Sequence, residues 1–269
     1  MIVNYKNILL KFKIKMNCQN LYILCFLTFT MTSCTLTKEP LIIGHRGAKG
    51  HIAENTLPSI AKAIELGVDG IEIDVFKCAS GELVVFHDKT LEKLTNTSGY
   101  VEELDLDSIK GIDLLNGYTI PTLNEVLDLI NGQVFLNIEL KGSSTAKKTS
   151  ELLRTYFKSK NWSPEKIIIS SFDWDELKIF RQNNDEVPIA ILTEDDPLDA
   201  IPIGLQLKAI ALNPDFKTLN QKNVEKIHKA GFKIFPWTVN KIEDLIAIKN
   251  LGVDGIITDF PERIPKSNN

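Results

Sequence analysis

A (β/α)8 TIM barrel with a β-hairpin after its second strand and a small insertion is the fold that three observations predict. Short runs rich in β-branched residues alternate with segments of helical period from residue 41 onward. These runs number nine, and one of the links between them is too short for a parallel crossover. The candidate strands are 41–44, 70–76, 83–87, 134–140, 167–171, 188–193, 209–213, 233–239 and 255–259.

The first run is apolar, as a buried strand is, and ends at His45-Arg46-Gly47. A helical segment at 56–66 leads to the second run, which joins the third through Lys-Cys-Ala-Ser-Gly-Glu at 77–82. A parallel crossover takes about a dozen residues, so this link suits a hairpin. Its turn at Ser80-Gly81 makes the third run antiparallel and sets Asp74 and His87 nearly opposite each other. Further helical segments at 122–130, 147–158 and 241–250 supply crossovers between later runs. Eight parallel strands remain, the number that closes a (β/α)8 barrel. The stretch 96–117 is the most loop-like and reads as a small insertion, and no linker divides the body, so 41–269 is one domain.

Residues 1–40 do not share the pattern. A cationic stretch from Lys6 to Lys15 precedes an apolar run at 21–29, too short for a membrane span, that ends at Met31-Thr-Ser-Cys34. This order predicts an export signal over 1–34, with Met16 as a second available start, and a short tether at 35–40. Met-Thr-Ser-Cys resembles the lipobox of bacterial lipoproteins, with Met where Leu is usual. It implies a lipid on Cys34 and an exported, membrane-anchored protein of the cell envelope, periplasmic or surface. A conventionally cleaved signal or an uncleaved anchor is the alternative. Cys18 and Cys25 belong to the leader and Cys78 is alone in the body, so the domain has no intramolecular disulfide framework.

Charge narrows the partners. A net charge of −4 and a pI near 5.7 leave no basic surplus for a polyanion, which argues against nucleic acid. Any phosphate must be met locally. In a barrel, the residues that do so stand where strands end and βα loops begin. Glu72 and Asp74 lie two apart on one strand and so share a face, and Glu139 ends another strand. Inward carboxylates are costly unless neutralised. A divalent cation with all-oxygen ligation would do this, Ca2+ or Mg2+ rather than zinc, and so would a structural network with Arg46 or Lys141. His45 and His87, two of the four histidines, both fall at strand ends, where they can serve as an acid and base pair or as structural residues. Arg46 and Lys141 can bind a phosphate oxyanion, and Arg46 can equally pair with Glu54 or Glu72.

In order and spacing, these residues resemble the glycerophosphodiester phosphodiesterase family. The resemblance runs from about residue 41 to 261 and rests on His45-Arg46-Gly47, Glu54-Asn55-Thr56, Glu72-Ile-Asp74-Val, His87-Asp88, Glu139-Leu-Lys141, Ser171-Phe172, Trp237-Thr-Val-Asn240 and Gly252-Val-Asp-Gly255 leading to Thr258-Asp259. It implies a barrel enzyme that hydrolyses glycerophosphodiesters to sn-glycerol 3-phosphate and an alcohol with one divalent cation, Ca2+ or Mg2+. Carried over by position, Glu72, Asp74 and Glu139 are the metal ligands and His45 and His87 the acid and base. Arg46 and Lys141 hold the phosphate, Trp237 faces the substrate, and Glu54 supports the mouth. Two other readings compete: a phospholipase acting on intact lipids, like the phosphoinositide phospholipases C, and a non-catalytic surface lipoprotein that binds glycerophosphodiesters. No residue pattern sets the oligomeric state.

Overall fold

The computed structural model describes residues 39–159 and 161–265. The expected signal segment, the tether up to residue 38 and Cys34 lie outside the described residues.

The barrel order is that of the sequence. Strands β1 (Leu41–His45), β2 (Gly70–Lys77), β4 (Phe135–Leu140), β5 (Ile167–Ser171), β6 (Ile189–Thr193), β7 (Ala211–Pro214), β8 (Lys233–Ile234) and β9 (Gly255–Thr258) form one parallel sheet. It runs β8-β7-β6-β5-β4-β2-β1-β9, with β3 (Leu83–Val85) antiparallel on β2. Backbone bonds from Asp254 to Ile234, from Ile257 to Pro236 and from Val239 to Ile257 bring the two ends of the sheet together. The β8 ladder is shorter than the expected 233–239: Phe235 and Trp237 N–H still donate to the Leu212 and Pro214 carbonyls, but Pro214 on β7 has no N–H to return.

Helices α1 (Leu57–Glu65), α3 (Leu123–Ile130), α4 (Thr145–Ser159), α5 (Trp174–Asn183), α6 (Ile201–Gln206), α7 (Gln221–Lys229) and α8 (Ile242–Asn250) follow successive strands. Their starts are readable in the sequence: Thr56 caps α1 through Ser59 N–H, and Thr122 with Glu125 forms a capping box on α3.

Strand alternation sorts the residues into two cores. Ile71, Ile73, Val75, Leu136 and Ile138 pack outward against the helices, while Ile43, Ile168, Ala190, Ala211, Phe235 and Ile257 fill the lumen. Glu72, Asp74 and Glu139 are in phase with the lumen set. Gly70 has a spatial reason there, since a Cβ would strike the Phe135 ring that helps floor the lumen.

One expectation holds to within a residue, and one changes. The hairpin pairs Val75 with Val85, and Phe86 N–H donates to the Asp74 carbonyl, so Asp74 stands opposite Phe86, one residue short of His87. The insertion at 96–117 is also more than a loop. A 3-10 turn (Val101–Glu103) and α2 (Leu106–Lys110) pack Val101, Ile109 and Leu114 onto Phe76, Val84, Phe86 and Leu91 as a satellite core.

Candidate active site

At the end of β1 the chain turns sharply. Arg46 has φ 51 and Gly47 φ 87, the left-handed region that costs a side chain free energy. That turn aims the Arg46 N–H at Glu72 Oε2, 3.0 Å away, and sends the guanidinium to Glu54 Oε1 at 2.5 Å and Asp74 Oδ2 at 3.2 Å. Gly47 is required, because a Cβ would lie 2.7 Å from the Ser59 carbonyl carbon. The Arg46–Glu54 pairing is therefore present, with Lys49 Nζ on the second Glu54 oxygen at 3.1 Å.

Glu72, Asp74 and Glu139 are all buried, and each offers an oxygen within 4.8 Å of those of the other two. Their electrostatic states differ. Burial alone would raise Asp74, but Arg46, His87, Lys141 and the Asn55 amide at 2.8 Å together hold it below the usual carboxylate range. Burial, then repulsion from Asp74 and Glu139, pushes Glu72 well above that range. Burial and Asp74 push Glu139 up to about 8, even with Lys141 Nζ only 2.9 Å away. Glu72 Oε1 and Asp74 Oδ1 are buried without a hydrogen bond. Buried carboxylates with orphaned oxygens are hard-cation chemistry, and these residues fit a divalent ion that would satisfy the orphans and offset the repulsion.

Each histidine has its own carboxylate. His45 Nδ1 lies 2.6 Å from Asp259 Oδ1, and Asn240 Nδ2 holds the other Asp259 oxygen at 2.8 Å. His87 Nδ1 lies 2.7 Å from Asp88 Oδ1, and Lys93 pairs with Asp88 at 3.1 Å. An ionised carboxylate only accepts, so both rings carry Nδ1–H, and the atom left to take or give a proton in each is Nε2. In His87 that nitrogen is 3.3 Å from Lys141 Nζ, and in His45 it is 3.9 Å from Glu72 Oε2. Burial lowers both histidines, against the Asp259 bond in His45 and against Asp74 in His87.

His45, Arg46, Glu72, His87, Glu139, Lys141 and Trp237 line one cavity of about 260 Å³ at the barrel mouth. Asp74 lies beneath it at 1% exposure. The Trp237 indole N–H donates to the Asn213 carbonyl at 2.8 Å, and its ring meets Phe172 edge to face. Sequence reasoning puts Asp259 at a strand end and gives it no role. No local signal marks its contact with His45, 214 residues away. Asp88 and Asn55 sit within recognised motifs, but their partners appear only in three dimensions.

Known proteins share this architecture. Residues 45–263 match the glycerophosphoryl diester phosphodiesterase family. A glycerophosphodiester phosphodiesterase of Caldanaerobacter subterraneus subsp. tengcongensis is 38% identical over 235 residues, covering 84% of this chain and 96% of the relative. One from Bacillus subtilis is 31% identical, covering 84% and 85%. Among solved structures, an Oleispira antarctica phosphodiesterase in complex with the product sn-glycerol-3-phosphate is similar at a TM-score of 0.77 and 27% identity, covering 84% of this chain and 95% of that one. The matched span runs from the end of β1 through β9 and holds the acidic triad and both carboxylate-backed histidines, and on that extent of agreement the chain belongs to the glycerophosphoryl diester phosphodiesterase family, as an enzyme.

Proposed function

We propose that the chain hydrolyses glycerophosphodiesters to sn-glycerol 3-phosphate and an alcohol, with Ca2+ or Mg2+ held by Glu72, Asp74 and Glu139 and with His45 and His87 as acid and base. The observation that carries this reading is the pair of imidazoles, each backed by a carboxylate at Nδ1, beside a buried acidic triad. The product in the Oleispira relative supports the same product here.

When bound, the cation supplies Lewis-acid neutralisation of phosphoryl charge. Arg46 and Lys141 bind the phosphate oxygens, the first as a planar fork and the second as a point charge. One imidazole takes the proton of the attacking hydroxyl at Nε2, whether of water or of the glycerol 2-hydroxyl. The other gives a proton to the leaving alcohol oxygen as its P–O bond breaks. Asp259 and Asp88 keep Nδ1–H in place and stabilise the imidazolium in turn. Trp237 presents its ring to the substrate.

Chelation, His45→Ala or His87→Ala should each abolish glycerol 3-phosphate release from glycerophosphocholine, and unchanged turnover would overturn the reading. Activity on intact vesicles with none on the deacylated diester would favour a phospholipase. Metal-dependent binding without turnover across several diesters would favour a non-catalytic binder.

The order of a cationic stretch, an apolar run and Met-Thr-Ser-Cys supports export, with the lipid on Cys34 and the protein anchored in the cell envelope. Among the described residues no helix is long and apolar enough to cross a membrane. Cys34→Ala should release the protein from the membrane fraction and remove lipid labelling; a variant that stays anchored and labelled would refute this.

A further inference from the structure

The mouth has two chemically different halves. His45, Arg46, His87 and Lys141 come from the β1 to β4 side. On the other side, the ends of β5, β6 and β8 bring Phe172, Leu192, Glu194 and Trp237 to the same cavity. A phosphodiester has two arms. With its phosphoryl group at Arg46 and Lys141, one arm must lie against this second half.

That half offers ring faces and negative charge but few donors. Phe172 and Trp237 meet edge to face with centroids 5.4 Å apart and planes at 86°. The Trp237 N–H is already used on the Asn213 carbonyl, so the ring presents only its π surface. Phe172 is 38% exposed, and Lys141 Nζ stands 5.7 Å from its centroid, so one ring of the pair already receives a cation. Glu194, directly after β6, is exposed and has no hydrogen bond or ion pair among the described residues. Asp195 and Asp196 follow it, and no lysine or arginine occurs between Arg181 and Lys208. A small organic cation gains here from the ring quadrupoles and from the unpaired carboxylate, whereas a neutral polyol gains from neither.

We propose that Phe172, Trp237 and Glu194 form a subsite for a cationic alcohol arm, an ammonium or quaternary ammonium group, and so set the head-group preference of the enzyme. This rests on the hydrolase reading above. Glu194 and Phe172 determine specificity in this scheme and take no part in proton transfer.

The test compares kcat/KM for glycerophosphocholine and for the uncharged-arm substrate glycerophosphoglycerol, using the full chain with added divalent cation. Wild-type protein should prefer the choline diester by about tenfold, and more at low salt. Glu194→Gln should lower that ratio by about three- to fivefold, and Glu194→Lys should bring it to about one or below. Trp237→Leu, which keeps apolar volume but removes the indole face, should lower the ratio as well. A wild-type ratio near one would overturn the subsite, and so would Glu194 variants that keep the wild-type ratio while still releasing glycerol 3-phosphate. Failure of wild-type protein to turn over either diester would overturn the hydrolase reading itself, and the subsite with it.

Discussion

Cation binding by the metal-free protein is expected to weaken steeply below pH 8. A carboxylate ligates only when ionised, and Glu139 is pushed up to about 8 while Glu72 also lies well above its ordinary value. At pH 7 a group of this kind is about nine-tenths protonated, so cation entry must expel close to one proton from Glu139. The apparent Kd should rise about tenfold for each pH unit lost between 8 and 6, and faster where Glu72 takes up a proton as well. Stability without the cation follows the same shift. A carboxyl group whose folded pKa is raised contributes stability below its unfolded value, and that contribution is lost as pH rises through the folded one. For Glu139, moving from 4.5 to about 8, the loss amounts to at most about 5 kcal/mol. Above pH 7, where the lowered histidines are already neutral, the metal-free protein should therefore melt at progressively lower temperature up to pH 9, and saturating cation should restore Tm most at the alkaline end. Calorimetric titration in buffers of different ionisation enthalpy counts the released protons, and scanning calorimetry with and without chelator reads the Tm. Glu139→Gln should raise the metal-free Tm at pH 9 yet weaken cation binding by ~100-fold or more. A Kd that stays constant between pH 6 and 8, with no proton released, would refute the reasoning.

Asp259→Asn should lower kcat by about a hundredfold or more with KM little changed. Because Asp259 opposes the lowering of His45 by burial, its loss should also move the His45 limb of the pH–rate profile further down; an unmoved profile would mean that Asp259 does not act through His45. Gly47→Ala, forced against Ser59 at positive φ, should cost roughly 2–4 kcal/mol in urea unfolding, and a change under ~0.5 kcal/mol would mean the turn relaxes freely. Leu91→Ala, fully buried in the satellite core, should cost about 2–5 kcal/mol; a near-zero effect would make the insertion a separate, weakly held unit. In the free protein Arg46 and Lys141 lean on Glu54, Asp74 and Glu139, so sn-glycerol 3-phosphate should bind better once the cation is present, and the cation should gain by the same factor; independent binding would count against this coupling.

The barrel was legible because its signals are local. Apolar runs, helical periods and one link too short for a crossover lie within a few residues of each other, and they yield eight parallel strands and a hairpin. What escaped depends on contacts between distant segments. The insertion at 96–117 looks loop-like because its own residues supply only part of its core, while Phe76, Val84 and Phe86 on the hairpin supply the rest. The register of that hairpin is set by which backbone groups pair across it, and counting outward from Ser80-Gly81 misses it by one.

The candidate site divides in the same way. Strand phase places Glu72, Asp74 and Glu139 in the lumen, and strand ends place His45, His87 and Trp237 at the mouth, so the sequence could collect these residues. It could not say how each is held, because a carboxylate's state depends on neighbours from other strands. Asp74 and Glu139 illustrate this: both are buried acids on the lumen face, yet Asp74 sits among Arg46, Lys141 and Asn55 and stays low, while Glu139, with Lys141 as its close partner and Asp74 against it, rises to about 8. The same holds for the histidines: His87 takes its carboxylate from the next residue in the chain, whereas His45 finds Asp259 only when β9 closes against β1. Closure of the barrel is thus part of the chemistry. The last strand brings the carboxylate that sets the tautomer of the first strand's histidine, so a chain truncated before β9 should lose the orientation of His45 as well as the seal of the sheet.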